Sequence, residues 1–129
     1  MIFNDREWLA ISERLLKLTN ERQLPWSGTP DQSETGEGIG MIFRTTIGDA
    51  TYVIGSVDAD GSFPYYMEIW QGQSAFDRMT SPASGRSTSD ESAELRSTMR
   101  NLYRSAFRSF FGAAEKAERL IADLDALMD

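Results

Sequence analysis

Neither cysteine nor histidine occurs anywhere in the 129-residue chain. The missing thiols exclude disulfides, thiolate nucleophiles and cysteine metal sites, and fit a reducing compartment. The missing imidazoles exclude Ser-His-Asp and Cys-His catalysis, zinc sites built on His and Cys and the usual proton shuttle near neutral pH. Lysine is nearly absent too: only Lys17 and Lys116 occur, neither in a glycine-rich phosphate loop. Any chemistry would therefore rest on carboxylates or tyrosines, and a conventional enzyme is not expected. No cofactor or metal site is expected either.

Long apolar runs are also missing. No stretch approaches the ~18 residues of a membrane span. Residues Met1 to Trp8 meet charge at Asp5, Arg6 and Glu7 and contain no apolar core of a signal peptide. A cytoplasmic protein without membrane contact is expected. Thirteen basic against twenty acidic residues give a net charge of −7. That balance disfavours general nucleic-acid binding, which needs a basic surface to neutralise phosphate.

What is present describes one α+β domain over residues 1–129. Asn4 and Glu7 have the spacing of a capping box. Trp8, Ile11, Leu15 and Leu18 then recur at helical spacing, with Leu9 and Leu16 widening the stripe. This helix should stop near Gln23, because Pro25 pushes Leu24 out of the helical region. A connector rich in Ser, Thr, Gly and Pro follows, with room for a short edge strand and with Trp26 as its anchor in the core.

Three strands are expected next. Ile39 to Ile47 and Ala50 to Val57 flank Gly48-Asp49, a two-residue hairpin signal. Asp58-Ala59-Asp60-Gly61 reads as a four-residue turn into a strand over Phe63 to Gln71. These turns set Phe43 opposite Ile54, Thr45 opposite Tyr52, and Ile54 opposite Tyr65. Met41, Phe43, Ile47, Tyr52, Ile54, Phe63, Tyr65, Met67 and Ile69 then share the core face. Ile42, Arg44, Thr46, Thr51, Val53, Val57, Tyr66, Glu68 and Trp70 share the outer face.

Residues 72–89 read as a long Ser/Thr/Gly/Pro crossover without strands. Thr88 and Glu91 form a second capping-box pattern. From there to Met128 runs a long helix, one piece or broken near Gly112. Leu95, Met99, Leu102, Ala106, Phe110, Ala113, Ala117, Leu120, Leu124 and Leu127 form a continuous apolar seam along it. The architecture expected is a two-layer sandwich: an N-terminal helix, a three-stranded antiparallel meander and the long helix, with both helices on the Phe43 face. A helix of about 57 Å outruns strands of about 30 Å. Its part past Gly112 should overhang and need either the first helix or another subunit.

Three chemical patterns fail on inspection. Asp58, Asp60 and Gly61 occupy positions three, five and six of a calcium loop, but Met67 falls where the twelfth-position carboxylate belongs. Asp58 or Asp60 with Glu68 would make an acid–base pair only if one cleft held them, and nothing in the sequence brings them together. Trp26-Ser27-Gly28 matches the W-x-G tripeptide that joins two helices in small secreted helical-hairpin proteins, but strands follow it here.

Two surfaces remain as partner-binding candidates. Arg96, Arg100, Arg104 and Arg108 repeat every fourth residue and make one stripe on the long helix. Like charges so spaced cost a few tenths of a kcal/mol per pair. Either this protein's own acids, Glu13, Glu21, Glu34 or Glu37, or simple solvation offset them, or the stripe meets a partner or a phosphate-bearing ligand. Residues 76–111 carry six basic and four acidic side chains. On the outer sheet face, Ile42, Val53, Tyr66 and Trp70 include residue types enriched at interfaces. Tyr103, Phe107 and Phe111 lie beside the apolar seam and should pack on the first helix and the sheet, with a dimer contact as the alternative.

The layout of helix, Leu24-Pro25-Trp26 joint, meander and C-terminal helix resembles small acidic bacterial proteins found near mobile elements. More distantly it is similar to the type III secretion chaperones, which are acidic, of this size and dimeric. The functional expectation is a non-catalytic protein-binding module of bacterial or phage type, such as an inhibitor, immunity or anti-defence protein that occludes its partner. The alternatives are a homodimeric secretion-type chaperone and a small-ligand-binding or carboxylate-dependent enzyme domain.

Overall fold

Asn4 opens the first helix as the sequence predicts. In the computed structural model, which describes residues 2–31, 40–82 and 90–128, its side chain accepts the Glu7 N–H while Glu7 accepts the Asn4 N–H. Helix α1 (Asp5–Asn20) ends three residues before Gln23. Arg22 adopts a left-handed φ of 60°, and the N–H groups of Arg22 and Gln23 bond back to Thr19 and Leu18. This Schellman pattern satisfies the last carbonyls and turns the chain before Pro25 has to. Leu24 and Trp26 are buried, and Trp26 Nε1 donates to Thr19 Oγ1 at 3.0 Å. The joint is thereby stapled to the end of α1.

Five strands follow, in the order of the chain and all antiparallel: β1 (Ser27–Asp31), β2 (Gly40–Ile47), β3 (Ala50–Ser56), β4 (Tyr65–Gln71) and β5 (Ser74–Thr80). The sheet thus has five strands rather than the three expected: β1 fills the connector that had room for a short edge strand, and β5 lies beyond the third expected strand. The β2–β3 register is the one derived from Gly48-Asp49, with Phe43 opposite Ile54 and Thr45 opposite Tyr52.

The β3–β4 register differs from expectation. Ser56 pairs with Tyr65 and Ile54 with Met67, so residues 57–64 all belong to the connection. Pro64 has no N–H to give the ladder, which delays pairing until Tyr65. Asp60 shapes this loop by accepting from Ser56 Oγ and Ser62 N–H, each at 2.9 Å. The slip is two residues, an even number, so every side chain keeps its face.

The fifth strand corrects the reading of 72–89 as strandless. Gln71 pairs with Ser74, leaving Gly72-Gln73 as a two-residue turn with Gly72 at φ 61°. That turn obeys the rule that identified Gly48-Asp49. The buried residues of β5 are Met79 and Asp77, and Asp77 accepts the Phe3 N–H at 2.9 Å, tying the N-terminal segment to the sheet edge.

Helix α2 (Asp90–Phe111) packs with α1 on the Phe43 face, giving two layers. The Thr88 capping pattern lies outside the described residues. Trp8 and Leu15 of α1 and Leu95, Met99, Leu102 and Ala106 of α2 close over Phe43, Ile54, Tyr65, Met67 and Ile69. Ile47, assigned to the core by alternation, is 41% exposed at the hairpin tip, beyond the reach of both helices. Among the described residues no helix is long and apolar enough to cross a membrane.

At Gly112 the long helix breaks. The glycine takes φ 61°, donates to Ser109 O, and α3 (Ala113–Met128) starts beyond it. The apolar seam changes character there: it is buried through Ala106, part-covered at Phe110 and Ala113, and exposed from Ala117 onward. None of the α3 residues is buried.

Candidate functional site

The arginine stripe lies on α2 beside the inner ends of the sheet. Arg96 and Arg100 are half-buried, Arg104 and Arg108 exposed. The Arg96 guanidinium stacks 4.2 Å above the Phe63 ring, a cation–π contact. Arg100 Nε is enclosed without an acceptor. Among the described residues none of the four forms an ion pair, although arginines elsewhere do: Arg6 with Glu91, Arg22 with Glu115 and Arg78 with Glu68. Of the acids considered as internal counter-charges, Glu13 and Glu21 do not reach the stripe; Glu34 and Glu37 lie outside the described residues.

Next to the lower arginines is an open hollow of about 440 Å³ lined by Asp60, Gly61, Tyr103, Arg104, Phe107 and Arg108. Its floor is rigid. Tyr103 OH accepts the Met41 N–H at 3.0 Å, and Tyr65 OH donates to Gly61 O at 3.1 Å. Tyr103 stacks between Tyr65 and Phe43, at 4.9 and 5.4 Å. Burial pushes the Tyr65 hydroxyl above its ordinary value, partly opposed by the nearby Arg104. The Asp60 carboxylate is held below its ordinary pKa, first by the Ser62 N–H and then by Ser56 Oγ. It therefore stays ionised and committed to its own loop.

Tyr103 packs on the sheet as expected. Phe107 and Phe110 meet Phe43 edge-to-face, with ring centroids 5.8 and 5.9 Å apart, and Phe111 lies against both of them. All three nevertheless remain 38–39% exposed. This aromatic shelf joins the arginine stripe to the uncovered side of α3.

The outer sheet face is a second, separate surface. Trp70 Nε1 donates to Glu68, Glu68 pairs with Arg78, and Arg78 lies 4.6 Å over the Tyr66 ring. The Tyr66 ring and hydroxyl lie against Gly55, where a Cβ would come within 2.7–2.8 Å of them and displace the ring. Tyr66, Trp70 and Ile42 are half-buried, but Val53 is only 4% exposed. Alternation put Val53 on the correct face, yet its Arg44 and Glu68 neighbours in the ladder, with Trp70 beside them, close over it. It is not an open contact residue.

The carboxylates do not converge. Asp60 borders the α2 hollow, whereas Glu68 is on the sheet face away from the helices, engaged by Arg78 and Trp70. Among the described residues no group of three acids is placed to hold a metal ion. No known protein family matches this chain, and no curated protein or solved structure matches it either.

Proposed function

We propose that the protein is a non-catalytic binding module that attaches to an acidic protein surface through the stripe Arg96, Arg100, Arg104 and Arg108, in the manner of an inhibitor, immunity or anti-defence protein occluding its partner. One observation carries this reading: four arginines in a row on one rigid helix face, none paired with an acid among the described residues. Guanidinium groups so spaced repel one another, and their planar forks match carboxylates. Arg104 and Arg108 are exposed, so their guanidinium groups are open to an incoming carboxylate. Phe63 and Phe107 add aromatic area at the edges of the stripe, the composition seen at the centre of interfaces. The outer sheet face ranks second, because its polar groups already satisfy one another.

Capture from lysate of the source cell tests this reading, with wild type run beside Arg100→Glu/Arg104→Glu and the bound proteins identified by mass. The expected result is one stoichiometric protein with an acidic contact surface, retained by wild type and lost by the variant. Equal retention by both would overturn the assignment to the stripe.

A further inference from the structure

The uncovered face of α3 has the residue pattern of a dimer seam, and it is independent of the arginine stripe. Among the described residues the ion pair that ties α3 to the body is Arg22–Glu115 at 2.9 Å. At about 100° per residue, Ala117, Leu120, Ile121, Leu124, Leu127 and Met128 all lie at least about 120° around the helix from Glu115. The body is therefore held on the polar side while the apolar side faces away from it. Leu120, Leu124 and Leu127 are 62, 61 and 85% exposed. An isolated helix of this length is marginal in water, so its apolar side calls for a cover.

The spacing specifies that cover. Ala113, Ala117, Leu120, Leu124 and Leu127 step by four, three, four and three residues, the alternation of a two-helix seam. We infer that α3 pairs antiparallel with α3 of a second copy of this chain. In one register Ala117 meets the partner's Leu120 and Ala113 meets the partner's Leu124, so each of these two leucines faces an alanine. The same register sets Lys116 against the partner's Asp123, and by symmetry Asp123 against the partner's Lys116. Sliding by one heptad instead brings Asp123 against the partner's Asp123, like charge on like. A parallel pair places Lys116 beside the partner's Ile121 and gains no ion pair. Charge and volume thus select the same arrangement.

Interface size asks for more than the helix alone. A stable interface draws on roughly 20–30 residues a side, more than the 16 of α3. The antiparallel register carries Leu127 and Met128 toward the partner's end of α2, where Phe110 and Phe111 are part-exposed, and so extends the contact past the helix itself.

Cross-linking with engineered cysteines tests this in the full chain, which has none of its own. Wild type should have twice the chain mass by light scattering at high micromolar concentration. Leu124→Cys mixed with Ala113→Cys should oxidise to a mixed cross-linked dimer. Neither variant alone should do so, because in this register like positions sit about 16 Å apart along the axis. Lys116→Asp should weaken association several-fold, and Lys116→Asp/Asp123→Lys should restore it. A monomeric wild type would overturn the proposal. So would Leu124→Cys cross-linking readily to itself, the signature of a parallel pair, or a charge swap that fails to rescue Lys116→Asp.

Discussion

Leu102 and Leu124 are the same residue type on the same apolar seam, and the structure assigns them opposite energetic weights. Leu102 is fully buried between α1 and the sheet; Leu124 is 61% exposed on α3. Leu102→Ala removes three carbons from a closed core and leaves a cavity, a loss of about 2–5 kcal/mol. For a chain of this length each kcal/mol lowers Tm by about 3–5 °C, interpolating between smaller and larger domains. A mid-range loss of about 3 kcal/mol thus lowers Tm by about 10–15 °C. Leu124→Ala vacates no core space and keeps a strong helix former, so in dilute protein it should change stability by less than about 0.5 kcal/mol. Calorimetric melting of both variants at low micromolar concentration makes the comparison. Repeating it at high concentration should leave the Leu102→Ala loss unchanged and reveal a Leu124→Ala loss, because only the dimer uses that side chain. Equal losses in dilute protein would refute the division of the seam at Gly112.

Two further outcomes follow from individual hydrogen bonds. Thr19→Val keeps the side-chain shape but removes the acceptor of the buried Trp26 Nε1–H, and should cost about 1–3 kcal/mol in urea unfolding; Thr19→Ser should restore most of it, and a loss under a few tenths would show that Trp26 is not anchored there. At Asp77, burial pushes the carboxyl pKa up, but the N–H groups of Phe3, Ile2 and Arg78 outweigh it and hold it below the ordinary value. A depressed carboxylate contributes stability that is complete above its unfolded pKa, about 3.9, and is lost as pH falls from there through the folded value. Asp77→Asn should therefore flatten the acid limb of a Tm-against-pH curve below about pH 4, and an unchanged limb would remove Asp77 from that role.

The capping box at Asn4, the Gly48-Asp49 hairpin and the parity of the three expected strands were legible in the sequence because each depends on neighbours only a few residues apart. Strand β5 was not. Its inward positions are Asp77 and Met79, and an aspartate on the core side hides the apolar alternation that marks a strand. Only the Gly72-Gln73 turn betrayed it. The β3–β4 connection was misjudged because Asp58-Ala59-Asp60-Gly61 looks self-sufficient, while Pro64, the residue that delays pairing, lies outside that run. The α2–α3 seam shows a different kind of limit. A 3.6-residue apolar period reports that a helix face is covered, not what covers it, so the core-facing half and the outward-facing half read as one signal.

For the candidate surfaces, the arginine stripe was visible as a repeat of four, since helical geometry alone aligns it. Its lack of internal ion pairs among the described residues required the three-dimensional arrangement. Val53 shows the converse: parity gave its face but not its cover, which comes from long side chains on the neighbouring strands. The shelf formed by Phe107, Phe110 and Phe111 read as core packing. It is half that: ring edges reach Phe43, while the outer edges stay open and run on into α3.

The central claim is that the arginine stripe is left open to a partner because this protein's own acids do not engage it, and the melting temperature of Arg104→Glu/Arg108→Glu, its two exposed members, tests that lack of internal pairing most directly. Surface charges without internal partners change stability by no more than about 0.5 kcal/mol each. The account therefore predicts a Tm within about 5 °C of wild type and an unchanged circular dichroism spectrum. Unfolding, or a fall of about 10 °C or more, would show that the stripe is bound up in the fold and would contradict the account.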